Sequence, residues 1–537
     1  MIPNISQNKR RTVKKITVTP VEISKNRNQE LSNRVNVKSY GKRSVEESKK
    51  EIAHQLLQEY LHDSSVHGVK YFGNLQICGN IGRLFWSLIM IFSLAFLSWM
   101  FRKVWLRYST NPTRSIIESF QTPIFMAPFP AITICPLIPP MASRRKKVFE
   151  SLRLPRDMSN ATARFLIRYG PAFANENAPG GKVHVKNLRS LLKTNNMTLI
   201  EFVKALRPCE DLFEICMWDD VVQDCNQLFK ISYTFAGICC SFNYVLEDYI
   251  ESGRPVDYDK LRISSLFGPR SGITIVLNRD FLVEDVPEEE KYVKYSTNSV
   301  GLVMFPHHPL EYVATLATRI ILQKNQELRV SITPFVKKKL TGYYEENSRG
   351  EIVPHCADEK IILQYFPSYR YSNCFTSCSI NAFLQYCDCI PHYFTPIANK
   401  YSLRMCDWED FECLYTNAKY TRIIQNTLTE NYTCECITPC WDVEYELSTS
   451  YSELSGNHDF NVAHLYKNIS NTQSILRVYM KSSTFMQMTT IPIADELYLL
   501  ASLGGIFSLF LGCSFISAIE IIYFVGLYFR SSYKKSK

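Results

Sequence analysis

The chain reads as two long apolar runs near its ends with an alternating middle between them. From Leu84 to Phe101, LFWSLIMIFSLAFLSWMF, 18 residues pass without a charge, bounded by Arg83 and by Arg102 with Lys103. At about 1.5 Å per helical residue this run covers most of a roughly 30 Å hydrocarbon core. Trp86, Trp99 and Trp105 stand where indole rings anchor at membrane interfaces. A buried helix of a soluble core rarely runs so far without a polar face, which favours a membrane span. The second run, Leu497 to Phe529, has 33 residues and one charge, Glu520. A straight span needs about 20 residues, so this one must tilt, project beyond the bilayer or break.

Between the runs the period changes. EIAHQLLQEYL (51–61) predicts a short amphipathic helix, followed by a turn-like segment around Gly68 and Gly73. FPAITIC (129–135), GITIVLN (272–278), VGLVMF (300–305), ELRVSITPF (327–335) and SILRVYMK (474–481) predict strands. Residues 141–235 mix helical patterns with charged clusters, and residues 1–50 read as a polar, basic tail. The middle is therefore expected to be α+β, with a strand-rich core and helical additions.

Charge orients the spans. Residues 1–82 carry 14 Lys/Arg against 7 Asp/Glu, and residues 530–537 carry four basic residues and no acid. The whole chain has a formal charge of +10, so the rest is close to neutral. Both ends are basic, which places both in the cytosol and the intervening segment outside. The excess charge then faces anionic lipid and implies no nucleic acid.

Cysteine agrees with that placement. Of 18 cysteines, 16 fall between residues 135 and 440, a load that fits an oxidising compartment. Sequons at Asn160, Asn196, Asn431 and Asn468 lie in the same segment and mark candidate glycosylation sites. Ten cysteines crowd residues 356–440. Cys387-x-Cys389 and Cys434-x-Cys436 also fit thiolate ligation of zinc, but outside the cell thiols oxidise first, so disulfides are favoured. His307-His308 reads as a half-exposed loop pair rather than a metal site. No nucleophile elbow, phosphate loop or paired catalytic carboxylate appears in its required context, so no enzyme, metal or organic cofactor is expected.

The second run carries the candidate chemistry. At 100° per residue Gly505, Ser508 and Gly512 share a stripe, whereas Ser514, Ser517 and Glu520 fall on another side. The polar stripe loses register at Gly512-Cys513-Ser514. A helix interrupted there keeps both stripes on one lumen, and frees carbonyls to replace an ion's hydration shell. Glu520 needs a wet cavity or a partner, and a ring of such carboxylates would concentrate cations. Small residues that merely let helices pack closely are the alternative, and this run alone leaves both open. Two spans enclose no pore, so a channel would be an oligomer.

Several ordered motifs between His67 and Tyr528 resemble the degenerin/epithelial sodium channel family, which includes acid-sensing channels, and most closely its insect pickpocket branch. His67-Gly68, with Ser64 before it, is similar to that family's His-Gly gating motif. FPAITIC is similar to its post-span signature, and Gly237-Ile-Cys239-Cys240-Ser-Phe242-Asn243 to its Gly-x-Cys-x-x-Phe-Asn motif. The ten-cysteine block has the family order, and Gly512-Cys513-Ser514 matches Gly-x-Ser. Cys513 departs from the usual Ala or Ser, which bears on selectivity and thiol block.

The resemblance implies a membrane protein with two transmembrane helices and a large, disulfide-rich, hand-like extracellular domain, its β palm carrying a helical finger and thumb. Its segments would be a cytosolic piece (1–82), a first span (83–103), an extracellular domain (104–496), a second span holding the filter (497–529) and a cytosolic tail (530–537). The finger would occupy about 141–235 and the thumb about 356–440. The implied disulfides are Cys135–Cys239, Cys216–Cys225, Cys356–Cys440, Cys374–Cys436, Cys378–Cys434, Cys387–Cys413 and Cys389–Cys406, which leaves Cys209–Cys240. Gly512, Cys513 and Ser514 would form a selectivity filter, with Gly505, Ser508 and Glu520 lining the pore. His67, Gly68 and Ala501 would serve gating; Ala501 is at the position where bulky side chains hold such channels open. The implied function is a plasma-membrane subunit of a trimeric, voltage-independent, amiloride-sensitive cation channel that prefers Na+. It would join identical or related subunits and be gated by an extracellular ligand, force or protons. The competing readings are an ATP-gated two-span channel, whose nucleotide-contact motifs are not seen, and a non-conducting membrane-tethered receptor or adhesion subunit.

Overall fold

The computed structural model describes residues 53–73, 80–110, 113–136, 140–174, 182–278, 301–314, 317–346, 350–421, 434, 436–454, 469 and 473–536. Contacts divide the chain into two units, Thr110–Ala494 and the pair of segments Met1–Ser109 with Asp495–Lys537. The basic tail of residues 1–50, Asn431 and Asn468 lie outside the described residues.

Thr110–Ala494 is built on two sheets. The larger runs in the order Thr113–Pro123, Thr484–Pro492, Gln326–Lys339, Ile475–Met480, Ile273–Leu277, Phe213–Trp218, Val221–Gln223. Its central strand is Gln326–Lys339, which alternates so that Leu328, Val330, Ile332 and Val336 enter the core. That strand pairs in parallel with Ile475–Met480 and Thr484–Pro492, and antiparallel with Trp441–Glu453. Glu327 is 3% exposed and accepts from Arg477 Nε at 2.8 Å and Arg329 Nε at 3.0 Å, which keeps its buried charge paired.

The second sheet is antiparallel throughout: Phe229–Thr234, Gly237–Phe242, Ala131–Pro136, Leu302–His307, Ile320–Leu322. A row of hydrogen bonds crosses four of its strands. Ser232 Oγ meets Ser241 Oγ at 2.5 Å, Ser241 Oγ meets Thr133 Oγ1 at 2.6 Å, and Thr133 Oγ1 meets His307 Nε2 at 2.8 Å. His307 and His308 are buried, at 6% and 1% exposure, which corrects the reading of a half-exposed loop pair. His307 ends a strand buried along its whole length and bonds the Thr133 hydroxyl, the end of a row whose hydroxyls come from three distant segments. Burial pushes its imidazole down to a pKa of about 4.

Four helices, Ala142–Ser151, Asn160–Ala174, Lys182–Thr194 and Leu199–Leu206, pack around Leu166, Ile167, Leu188, Leu191, Phe202 and Val203. The last begins at a capping box: Thr198 Oγ1 accepts from the Glu201 amide at 3.2 Å and the Glu201 carboxylate accepts from the Thr198 amide at 2.8 Å. Asn160 opens the second of these helices, and Asn196 takes a positive φ of 49° in the turn before the last.

Helix Tyr371–Cys387 anchors the cysteine-rich region. Cys374 and Cys378, one turn apart, bond to Cys436 and Cys434. Cys387–Cys413 and Cys389–Cys406 pin the end of this helix, where Asp388 adopts the left-handed conformation. Cys356–Cys440, Cys135–Cys239, Cys216–Cys225 and Cys209–Cys240 complete eight disulfides. The three cysteines that sit together here, Cys374, Cys378 and Cys436, are engaged in sulfur–sulfur bonds rather than held as thiolates.

In the other unit, the first apolar run lies in a helix of 30 residues, Asn80–Ser109, longer at both ends than the span of 83–103. It is the helix long and apolar enough by itself to cross a membrane among the described residues. The second run forms two helices, Glu496–Leu511 and Phe515–Ser536, bent by 71° at their junction, which pass the same test only when taken together. Asp495 caps the first of them, accepting from the Tyr498 amide at 2.7 Å. The second continues to Ser536, through most of the segment 530–537 expected to be a tail.

Candidate functional site

Gly512-Cys513-Ser514 acts as a stop and a start in three residues. Gly512 takes φ 61°, the left-handed conformation that ends helices, and its amide donates to the Ser508 carbonyl at 2.9 Å. Ser514 then caps the next helix. Its Oγ accepts from the Ser517 amide at 3.4 Å, and the Ser514 amide donates to Ser517 Oγ at 3.1 Å. The first ladder closes on Ser508 and the second opens with Ala518 donating to the Ser514 carbonyl, so the carbonyls of Gly512 and Cys513 belong to neither. Cys513 is half-buried, and it is the free cysteine among the described residues.

The segment before the first helix folds back onto this junction. The His67 amide donates to the Leu511 carbonyl at 2.9 Å. A Cβ on Gly512 would stand 1.4 Å from His67 Nδ1, so the absent side chain at Gly512 is the space the imidazole fills. Gly68, at φ +88°, does the same toward the first helix, where a Cβ would come 2.7 Å from Met90 Sδ. His67 and Gly68 thus wedge between two helices at points where each has room for only one of them.

Glu520 has a partner. Its carboxylate accepts from the Ser65 amide at 3.2 Å and from Ser65 Oγ at 2.8 Å, and Ser65 Oγ also meets Ser517 Oγ at 2.6 Å. Ser517 is 1% exposed, so the Ser65–Ser517 contact is partly buried, while Ser65 meets Glu520 on the exposed side. Ser64, likewise 1% exposed, accepts from the Val66 amide at 3.2 Å and shapes the turn. Sequence reasoning placed Glu520 on a lumen or against a partner and did not find Ser65; a hydroxyl beside the His-Gly pair was the available signal.

Other expected pore residues lie elsewhere on the helix. Ala501, Gly505 and Ser508 are exposed, and a Cβ on Gly505 would meet nothing within 4 Å. The side facing the first helix is apolar instead, with Ile506 buried and the Phe510 ring tilted against Phe96 with centroids 5.1 Å apart. Within one chain the small and polar stripe therefore stays open, and Glu520 is held apart from it.

One helix able to cross a membrane, a second broken at a Gly-x-Ser junction, and a mixed α/β body with eight disulfides define a membrane protein of the disulfide-rich channel class. The chain belongs to the amiloride-sensitive sodium channel family, which matches residues 60–524 and comprises ion channels rather than enzymes. It is 25% identical to sodium channel protein Nach of Drosophila melanogaster over 493 residues, covering 89% of this chain and 88% of that one. Pickpocket protein 28 of the same fly is 25% identical over 510 residues, with 87% and 77% covered. The epithelial sodium channel subunit gamma-2 of Xenopus laevis is 21% identical over 553 residues, with 87% and 80% covered.

Proposed function

We propose that this chain is a subunit of a trimeric, sodium-preferring cation channel of the plasma membrane, crossing the bilayer twice with both termini in the cytosol. The observation that carries the reading is the interruption at Gly512–Ser514, occupied from inside the chain by His67. Irregular backbone at membrane depth persists only where protein buries it or water reaches it. Here one side is filled by His67 and the Gly512 and Cys513 carbonyls lie outside both ladders. Three such junctions around an axis would present carbonyls to a dehydrating cation, with Na+ as the permeant ion.

Oligomerisation has its own support. Phe120, Phe125, Met126, Leu266 and Phe267 are 52–69% exposed in the β body. The Gly268 amide bonds the Met480 carbonyl and the Ile124 amide bonds the Ser483 carbonyl, so these rings are carried on neighbouring segments. An exposed apolar cluster of this kind fits a surface covered by another subunit, identical or related.

Amiloride block, insensitivity to voltage, and opening by an extracellular ligand, force or protons complete the proposal. The deciding experiment replaces Ala501 with Phe and records from cells expressing the chain alone and with related subunits. Standing inward Na+ current that amiloride reduces is the expected result. Protein at the surface with partners present and no current under agonist, stretch or pH challenge rejects the pore and leaves the tethered receptor.

A further inference from the structure

The four-helix layer carries a cleft that the pore reading leaves unused. Arg145, Lys146 and Phe149 line it from helix Ala142–Ser151, and Arg164, Phe165 and Arg168 from helix Asn160–Ala174. The i, i+4 spacing of Arg145 with Phe149, and of Arg164 with Arg168, puts each set on one helical face. The cleft holds about 650 Å3, within the roughly 300–1,000 Å3 of small-molecule sites. Its shape is fixed from behind, because Val148, Leu166 and Ile167 on the same helices are buried in the core.

The walls have two characters. Phe149 and Phe165 are half-buried and form an apolar floor. The Arg164 guanidinium lies 5.3 Å from the Phe149 ring centroid, and the Phe165 ring lies tilted against His184 with centroids 4.3 Å apart. Lys146 and Arg164 are exposed at the mouth, and among the described residues the acid lining the cleft is Glu150. The Lys146 and Arg164 charges therefore favour an anion at the mouth, while the rings favour a ligand with an apolar body over a simple inorganic anion. A concave, aromatic-floored pocket also favours a small molecule over a sulfated polysaccharide, which needs an extended exposed strip.

We propose that this cleft binds a small amphipathic organic anion, its apolar body on Phe149 and Phe165 and its acid group on Arg164 and Lys146. The binding stands apart from ion conduction and is read without it. The test uses the full chain in phosphatidylcholine nanodiscs and three ligands that share a ring but differ in charge: indole-3-acetate, indole-3-acetamide and tryptamine. Naphthalene-2-sulfonate serves as a second anion. Equilibrium dialysis should show the two anions binding at least about tenfold more tightly than the amide or the amine, the discrimination of one charge-assisted contact. Lys146→Gln, Arg164→Gln and Phe165→Leu should each weaken the anions by about that factor. Arg164→Glu should shift preference from indole-3-acetate toward tryptamine. Size-exclusion profile and intact disulfides show that each variant is folded. Equal binding of all three charge forms, or anion binding indifferent to Lys146 and Arg164, overturns the proposal. So does capture of heparin oligosaccharides through these residues with neither small anion bound.

Discussion

A single methyl group is enough to probe the interrupted helix. Gly512→Ala adds a Cβ at positive φ and drives it into the His67 ring. The expected outcome is a loss of current of at least about tenfold or a fall in Na+ over K+ preference, since displacing the segment costs more than the 1.4 kcal/mol that a factor of ten represents. His67→Ala removes the other half of the clash. The double variant should therefore recover part of what Gly512→Ala loses, a non-additivity that two independent defects would not give. Ion-replacement recording on the four members of the cycle decides it. Of these residues, the sequence alone showed the glycine, the serine and the lost register of the polar stripe. The approach of His67 could not be read from its own neighbours, because a polar turn with glycines looks the same whether it lies free or docks. Only the family resemblance singled it out.

At the scale of elements, the hydroxyl row across the smaller sheet makes stability depend on pH. His307 is held neutral, with its folded pKa near 4 against an ordinary 6.5. Its stabilising share is therefore present above pH 6.5 and is lost as pH falls toward 4, because the unfolded chain takes up the proton first. A shift of this size corresponds to roughly 3 kcal/mol. His307→Gln keeps a polar group for Thr133 and removes the titration, so the melting temperature of this variant should fall less than that of the parent between pH 7 and pH 4. Equal slopes would show that His307 does not titrate in this window. The histidine was misread because two histidines flanked by prolines look like a loop, while Thr133, which takes up its ring, and Ser241 and Ser232, which continue the row, lie far off in the chain. Strand cores such as Ile273–Leu277 were legible, since their continuous apolar runs need no partner to be recognised.

Helix Tyr371–Cys387 makes a separate prediction at the same scale. Its buried residues do not form one clean stripe, and disulfides from Cys374 and Cys378 do much of the holding. Replacing Cys378 and Cys434 together by alanine should lower stability by about 2–5 kcal/mol, measured by denaturant unfolding of the otherwise oxidised protein. An unchanged midpoint would assign the holding to packing instead. Cysteine count and position pointed to an oxidising compartment from sequence alone. The pairing did not follow from spacing, since sixteen cysteines admit very many connectivities.

Across the whole molecule, the apolar runs were the clearest signal and the charged helical clusters the least clear. A bilayer demands an uninterrupted lack of charge, so one glance at Leu84–Phe101 suffices. The cleft near Arg164 needed two helices brought face to face, and its arginines and phenylalanines read in one dimension as ordinary charged and core positions. At this scale the Ala501→Phe current is the prediction that joins the units, because a side chain in one helix is expected to change the state of an entire assembly. Three strands of the larger sheet, Gln326–Lys339, Ile475–Met480 and Ile273–Leu277, were legible from their apolar runs; Thr113–Pro123, Phe213–Trp218, Trp441–Glu453 and Thr484–Pro492 were not, nor was the order, which joins segments from both ends of the β body.

That order also governs how the protein is made. Among the described residues, the central strand Gln326–Lys339 has every one of its partners on its C-terminal side, and Thr113–Pro123 pairs with Thr484–Pro492 alone. At roughly 5–20 residues added per second, the earliest strand waits on the order of tens of seconds for its neighbour to be synthesised. During that interval its edge is bare, open to pairing with other chains or to a chaperone. A chain cut short before Thr484 lacks the strand that Thr113–Pro123 pairs with, and leaves that edge open.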